Sequence, residues 1–197
     1  MLEGLLVDLV PFNKIFRDLE HTWRNSEATF WASGGDRPIM SKARIDAQFQ
    51  EWVQGKEHNS AAGIPFGVQT KSGKPIGSFG INWIVPHCRL AMLGAKIGEP
   101  EYWGGGYGTD ALLLIVDYAF EWLDMRKIWL ATTSKNARVQ RQMEKVGFTL
   151  EARFREQTLM DGEWHDGLIY GLLREEWPGR PALIDKLGLR AREEVTG

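Results

Sequence analysis

The stretch YWGGGYGTDALLLIVDYAF, residues 102 to 120, limits the fold more than any other part of the chain. Its last ten residues carry a single charge, Asp117, so the segment reads as a helix that has to be buried. Four glycines, Gly104, Gly105, Gly106 and Gly108, stand at its entrance. Glycine reaches positive φ and lets a ligand approach the main chain, at an entropic cost that a plain turn does not require four times. The run therefore points to something docking at the start of the helix.

The rest of the composition is that of a globular domain. A chain of 197 residues, 43% hydrophobic and 25% charged, fits one domain with a sizeable core. A net charge of -2 supplies no general attraction for nucleic acid. Apolar runs fall short of the roughly 18 residues of a membrane span, and Met1 to Val10 lacks the basic start of a secretory leader, so a cytoplasmic protein without membrane partners is expected. The lone Cys88 excludes an internal disulfide and is expected as a small buried hydrophobe. His21, His58, His87 and His165 show no short metal spacing, and no metal is expected. Trp122 and Trp129 are read as packing residues.

Leu5 to Pro11 reads as a first strand, followed to about Gln54 by apolar residues at helical spacing, such as Ile45, Phe49 and Trp52. IPFGVQT, PIGSFGINWIV and CRLAMLGAKIG, separated by turn signals, predict an antiparallel meander of about three strands. The buried helix then runs to about Met125, KIWLATT (127 to 133) is a strand, and Asn136 to Val146 is a helix with Asn136 as N-cap and Gly147 beyond its end. FTLEARFREQT and WHDGLIYGLL flank the turn Asp161-Gly162. The organisation expected is a domain over 1–177 and a tail over 178–197 that forms a peripheral helix.

Several readings compete for the glycine run. A Walker loop needs Gly-Lys-Ser/Thr where this chain has Gly108-Thr109-Asp110. A dinucleotide fingerprint matches formally at Gly106, Gly108 and Ala111, but it follows a meander, and KIWLATT ends without the acid that takes a ribose. A glycine turn packed on its own sheet stays open. So does an anion site, in which backbone NH groups at the helix N-terminus converge on a pyrophosphate. Lys135, Arg138, Arg141 and Lys145 on the next helix suit a polyphosphorylated ligand, or else form a solvated face.

The order of elements, the loop Trp103-Gly104-Gly105-Gly106-Tyr107-Gly108 and the segment NARVQRQMEKVGF (136 to 148) together resemble the GNAT superfamily of N-acetyltransferases over nearly the whole chain. Trp103 in the first loop position and the closing LMDGEWHDGLIYGLLREEW look like the branch that acetylates N-terminal amines of ribosomal proteins, with its small-amine relatives. The resemblance implies a single-domain α/β fold, with a mixed, mostly antiparallel sheet of about seven strands splayed between the fourth and fifth and flanked by about four helices. It implies acetyl-CoA as cosubstrate, with the amides of Gly104 to Thr109 on the pyrophosphate, strand backbone near Ile97 and Gly98 along the pantetheine, and Asn136, Arg138 and Arg141 on the cofactor arm. The acceptor, a small-molecule amine or a protein N-terminus, would meet Trp23, Phe30 and Trp31. A homodimer is left open.

An alkylamine near pKa 10 has to lose a proton before it attacks, so a base is sought: the carboxylate of Glu99 first, then Asp166 and Tyr170 on the last strand. One departure bears on mechanism. Val139 and Met143 stand where the family carries a serine or a tyrosine that protonates the departing thiolate. Neither can donate a proton, so a CoA-binding sensor or scaffold with little turnover stays as an alternative. A polyamine or aminoglycoside acetyltransferase is the other.

Overall fold

The computed structural model describes residues 1–26, 39–53 and 63–191. In chain order the elements are β1 (Leu2–Glu3), β2 (Val7–Pro11), α1 (Lys14–Arg24), α2 (Lys42–Val53), β3 (Ile64–Thr70), β4 (Pro75–Val85), β5 (Leu90–Ile97), α3 (Tyr107–Glu121), β6 (Lys127–Thr133), α4 (Ala137–Val146), β7 (Thr149–Met160), β8 (Glu163–Leu173) and α5 (Arg180–Leu187). The eight strands form one sheet in the order β1-β2-β3-β4-β5-β6-β8-β7. All pairings are antiparallel except β5 with β6.

That parallel seam joins two half-sheets through three pairs alone, Leu90 with Lys127, Ala91 with Ile128 and Met92 with Trp129. Beyond Met92 and Trp129 the two strands run on, to Ile97 and Thr133, without pairing to each other. The sheet therefore opens into a V with its apex at these two residues. This is the expected splay between the fourth and fifth principal strands. The strand count differs by one: Leu2–Glu3 pairs with β2, and a run of two residues has no readable alternation.

Helix α3 is the buried helix that residues 102 to 120 demand, with Ala111 to Val116, Ala119 and Phe120 buried against the sheet. Its first turn holds Asp110, fully buried, whose Oδ2 accepts from the backbone of Leu6 at 2.7 Å and of Val7 at 3.2 Å. The carboxylate thus ties the helix start to the N-terminal strand. Met143 and Val146 of α4 join the same core, and Gln142 Nε2 donates to Thr109 Oγ1 at 3.3 Å, so α3 and α4 share one face of the sheet. Helix α1 covers the other face. Asn13 caps it through Ile15 N at 2.9 Å, and Phe16 lies so close to Gly67 that any side chain there would run into its ring.

The tail beyond Trp177 forms α5, and Leu183 enters the common core. Among the described residues there are thus five α-helices. Two packing expectations are overturned. Trp122 is the C-cap of α3 and is 77% exposed, because the helix ends at Glu121 and the chain turns through Asp124 at φ 53. Cys88 is exposed, in a one-turn 3-10 helix between β4 and β5 where no core reaches it. No helix among the described residues is long and apolar enough to cross a membrane.

Candidate active site

The V between β5 and β6 opens toward α3 and α4 as a cavity of about 650 Å³. The glycine loop closes one end. Gly104 and Gly106 take φ of 79° and 92°, a left-handed conformation that is strained for other residues, and Gly106 serves as N-cap of α3. The loop so arranged presents main chain to the cavity with the positive end of a 15-residue helix behind it. Gly105, Gly108 and Thr109 line the same end, while Tyr107 turns away and stacks edge-on against Tyr102 at 4.9 Å.

Trp103 crosses from the loop to the sheet. Its indole NH donates to the Ile97 carbonyl at 2.9 Å, and the Arg138 guanidinium lies 4.1 Å from its ring centre. Desolvation there holds the Arg138 pKa below its ordinary value. Asn136 caps α4 by accepting from Val139 N at 3.3 Å. Arg138, Arg141 and Lys145 line the cavity, whereas Lys135 pairs with Asp161 at 3.3 Å. Four cations, these three and Lys96, and no carboxylate are found among the described lining residues. Converging amides, a helix N-terminus and clustered cations form a donor set suited to a pyrophosphate on an extended arm. Val139 and Met143 line the wall where a proton donor was sought, and both are apolar.

The acceptor-side candidates fall elsewhere. Trp23 is buried, its NH donates to Glu99 Oε1 at 2.8 Å, and Gly98 lies flush against its ring, so that a Cβ at 98 would collide with the indole. Trp23 and Glu99 thus form one packed unit past the end of β5. Glu99 is seven residues beyond Met92, about 23 Å along extended chain from the apex. Asp166 bonds Arg153 at 2.7 Å and accepts from the Glu156 backbone at 3.0 Å, and the guanidinium first, then that NH, holds its carboxyl below the usual range. Tyr170 is 3% exposed, and burial raises its pKa. Glu99, Asp166 and Tyr170 all lie outside the cavity lining. Phe30 and Trp31 lie outside the described residues. No group of residues suited to a metal is found among the described ones.

A cluster that the sequence did not reveal lies on the face covered by α1. Glu20 accepts from Lys96 at 2.7 Å, Ser78 at 2.7 Å and Arg24 at 3.2 Å. Burial raises its carboxyl, but the Lys96 charge and these hydrogen bonds outweigh it and hold the pKa below 4.5. Lys96 also lines the cavity. A second omission is the tail: Leu187, Gly188 and Leu189 form part of the wall, and Leu189 touches the space above Gly106. A Gly188 C-cap followed by leucine was the available signal.

Residues 8–149 match the Acetyltransferase (GNAT) domain. The chain belongs to the GNAT acetyltransferase family. It is 32% identical over 149 residues, 76% of this chain and 79% of the relative, to the "Putative ribosomal N-acetyltransferase YdaF" of Bacillus subtilis (strain 168). It is 29% identical to the spermidine N(1)-acetyltransferase of Escherichia coli (strain K12) over 79 residues, 40% of this chain and 42% of that one. In three dimensions it resembles the spermidine N-acetyltransferase of Vibrio cholerae, solved with CoA and spermine, with a TM-score of 0.76, 19% identity and coverage of 86% of this chain and 96% of that one. The chain is an acetyl-CoA-dependent acyltransferase.

Proposed function

We propose that this GNAT enzyme acetylates a peptide N-terminus or a small monoamine by direct attack, with cofactor and amine bound together. The observation that carries the choice of acceptor is that the carboxylates of the acceptor side are already engaged: Glu99 accepts from the Trp23 indole, and Asp166 from Arg153 and the Glu156 backbone. A polyamine brings two or more positive charges and binds best where carboxylates collect. Glu20, a buried carboxylate on the α1 face, already accepts from three partners.

Bound acetyl-CoA supplies the activated acetyl group, and the loop 103 to 109 with Arg138 and Arg141 would hold its phosphates. The protein's part is to orient the two reactants across the V, where backbone of the parted strands can stabilise a carbonyl oxyanion. Proton removal is asked of groups outside the cavity lining: Glu99 beside Trp23, Asp166 under Arg153, and Tyr170, buried opposite Leu130 one register step from the apex. An α-amino group, with pKa of about 7.7 to 8.0, is already substantially neutral at working pH and needs little of that help. Acceptor and weak base then have one explanation.

A spermidine acetyltransferase is the second reading, favoured by the names of the relatives above. Release of CoA thiol, followed with short peptides bearing free or blocked N-termini, small monoamines, spermidine and an aminoglycoside, separates the two. The free peptides or monoamines are expected to give the highest kcat/KM. A value for either polycation tenfold above all of them overturns the proposal, and no amine-dependent thiol release with retained acetyl-CoA binding favours a sensor.

A further inference from the structure

The tryptophans at the apex have no part in the account so far. Ile128 and Leu130 are buried in the core beneath α3 and α4, so alternation turns Trp129 to the opposite face. Ala91 and Leu93 are buried in the same core, which turns Met92 the same way. Trp83 joins them there, its ring centre 5.9 Å from that of Trp129 and its plane at 82° to it. Met92 pairs with Asn82 on one side and Trp129 on the other, so the aromatic pair flanks the point at which β5 and β6 part. Met92, in register with Asn82 and Trp129, also lines the cavity, so the pair stands beside that wall, although neither indole is part of the lining itself.

Two further observations set Trp83 apart from ordinary packing. It is 46% exposed, although it neighbours the core residue Ile84. Its φ is 38°, in the left-handed region, where a bulky residue is strained, and the β4 to β5 register breaks between Asn82 and Val85. A glycine would relieve the backbone. The chain instead bears strain to hold a half-exposed indole at the back of the apex, and such strain clusters at binding sites.

We propose that Trp83 and Trp129 form the acceptor subsite, an aromatic seat that takes the apolar or aromatic carbon skeleton next to the reacting amine. The inference rests on the acetyl-transfer reading above and narrows its acceptor. The seat lies on the face opposite α3 and α4, so an amine resting there enters the V from behind and meets the thioester at the apex. Indole faces supply dispersion and favour an edge or a stacked ring, and they attract an ammonium group before it loses its proton. The bond made is from amine nitrogen to acetyl carbon, the bond broken is carbon to sulfur, and the proton leaves with the thiol or to solvent.

The test compares 2-phenylethylamine with ethylamine as acceptors, in the full chain with saturating acetyl-CoA. Wild-type kcat/KM, with each amine referred to its neutral fraction at the assay pH, is expected to favour the aromatic amine by at least about tenfold, the scale of a well-seated ring. Trp83→Gly is expected to keep or raise the melting temperature, because it relieves the positive φ, to leave the KM for acetyl-CoA unchanged, and to bring the two amines within about twofold. Trp83→Phe is expected to retain most of the preference. A preference that persists in folded Trp83→Gly, or wild-type rates equal for both amines, overturns the subsite while acetyl transfer stands. Failure of the wild type to acetylate any amine overturns both.

Discussion

Glu20 and Lys96 stand 76 residues apart in sequence and meet as an ion pair with side-chain exposures of 9% and 13%. Such a pair adds little net stability relative to apolar residues, but removing one partner strands the other charge, at about 3 to 5 kcal/mol. Glu20→Gln is therefore expected to destabilise the fold by about 3 kcal/mol at neutral pH. The sign with pH follows from the folded carboxyl lying below 4.5. Its contribution is complete above that value and is lost as pH falls through the lower folded pKa. Denaturant unfolding of wild type and variant should thus differ most near neutrality and converge in acid. An undiminished difference near pH 3 would show that charge is not the source. Neither residue was legible as a site, because each alone reads as a solvated surface charge and only the register of Ser78 with Lys96 brings α1 to them.

Elements were legible where local pattern and tertiary need agree. IPFGVQT, PIGSFGINWIV and KIWLATT fill β3, β4 and β6 end to end, since each is an apolar run closed by turn residues. Asn136 and Gly147 bound α4 as N-cap and left-handed C-cap, because the Asn136 side chain accepts from the first turn and Gly147, with no Cβ, takes the positive φ that ends a helix. The reversal at Trp83 and the exposure of Trp122 were not legible, since a strand break and a helix end both depend on neighbours distant in sequence. Helix α5 is the clearest case of an element whose meaning is tertiary. It read as a peripheral tail, yet Arg180 lies 3.6 Å from Asp110, Trp177 Nε1 donates to Asp117 at 3.3 Å, and Leu187 to Leu189 wall the glycine-loop end of the cleft. Leu189→Ala, which removes apolar contact from above Gly106, is expected to raise the KM for acetyl-CoA about fivefold, the equivalent of roughly 1 kcal/mol of lost apolar burial. The kcat at saturation and the KM for the amine should stay within about twofold, because the lesion lies far from the apex. Equal loss in all three constants would mean that α5 serves stability alone.

On the scale of the molecule, the sheet is two halves held by three residue pairs and by helices α3 and α4 above the seam. A ligand lying in the V supplies the cross-strand partners that the sheet itself does not. Acetyl-CoA should accordingly stabilise the whole domain, by about 2.7 kcal/mol at a hundredfold excess over Kd, or some 5 to 10 °C for a chain of this size. Gly106→Glu should abolish the shift relative to its own unliganded state, since a side chain at φ 92° meets Leu6 and Leu189 and its carboxylate repels phosphate. Thermal shift alone does not locate the effect. Amide hydrogen exchange does: protection on binding is expected along residues 93 to 97 and 130 to 133, where β5 and β6 face each other without pairing, at the amides that point into the gap, as well as in the loop 103 to 109. Free CoA should protect the loop and the outer arm as strongly and the residues nearest the apex less, because in the proposed complex it is the acetyl group that would reach in past Leu93 and Leu130. Protection confined to the loop, with both strand stretches exchanging as in the unliganded protein, would mean that the cofactor is held by its phosphates alone and that the open sheet is not its cradle.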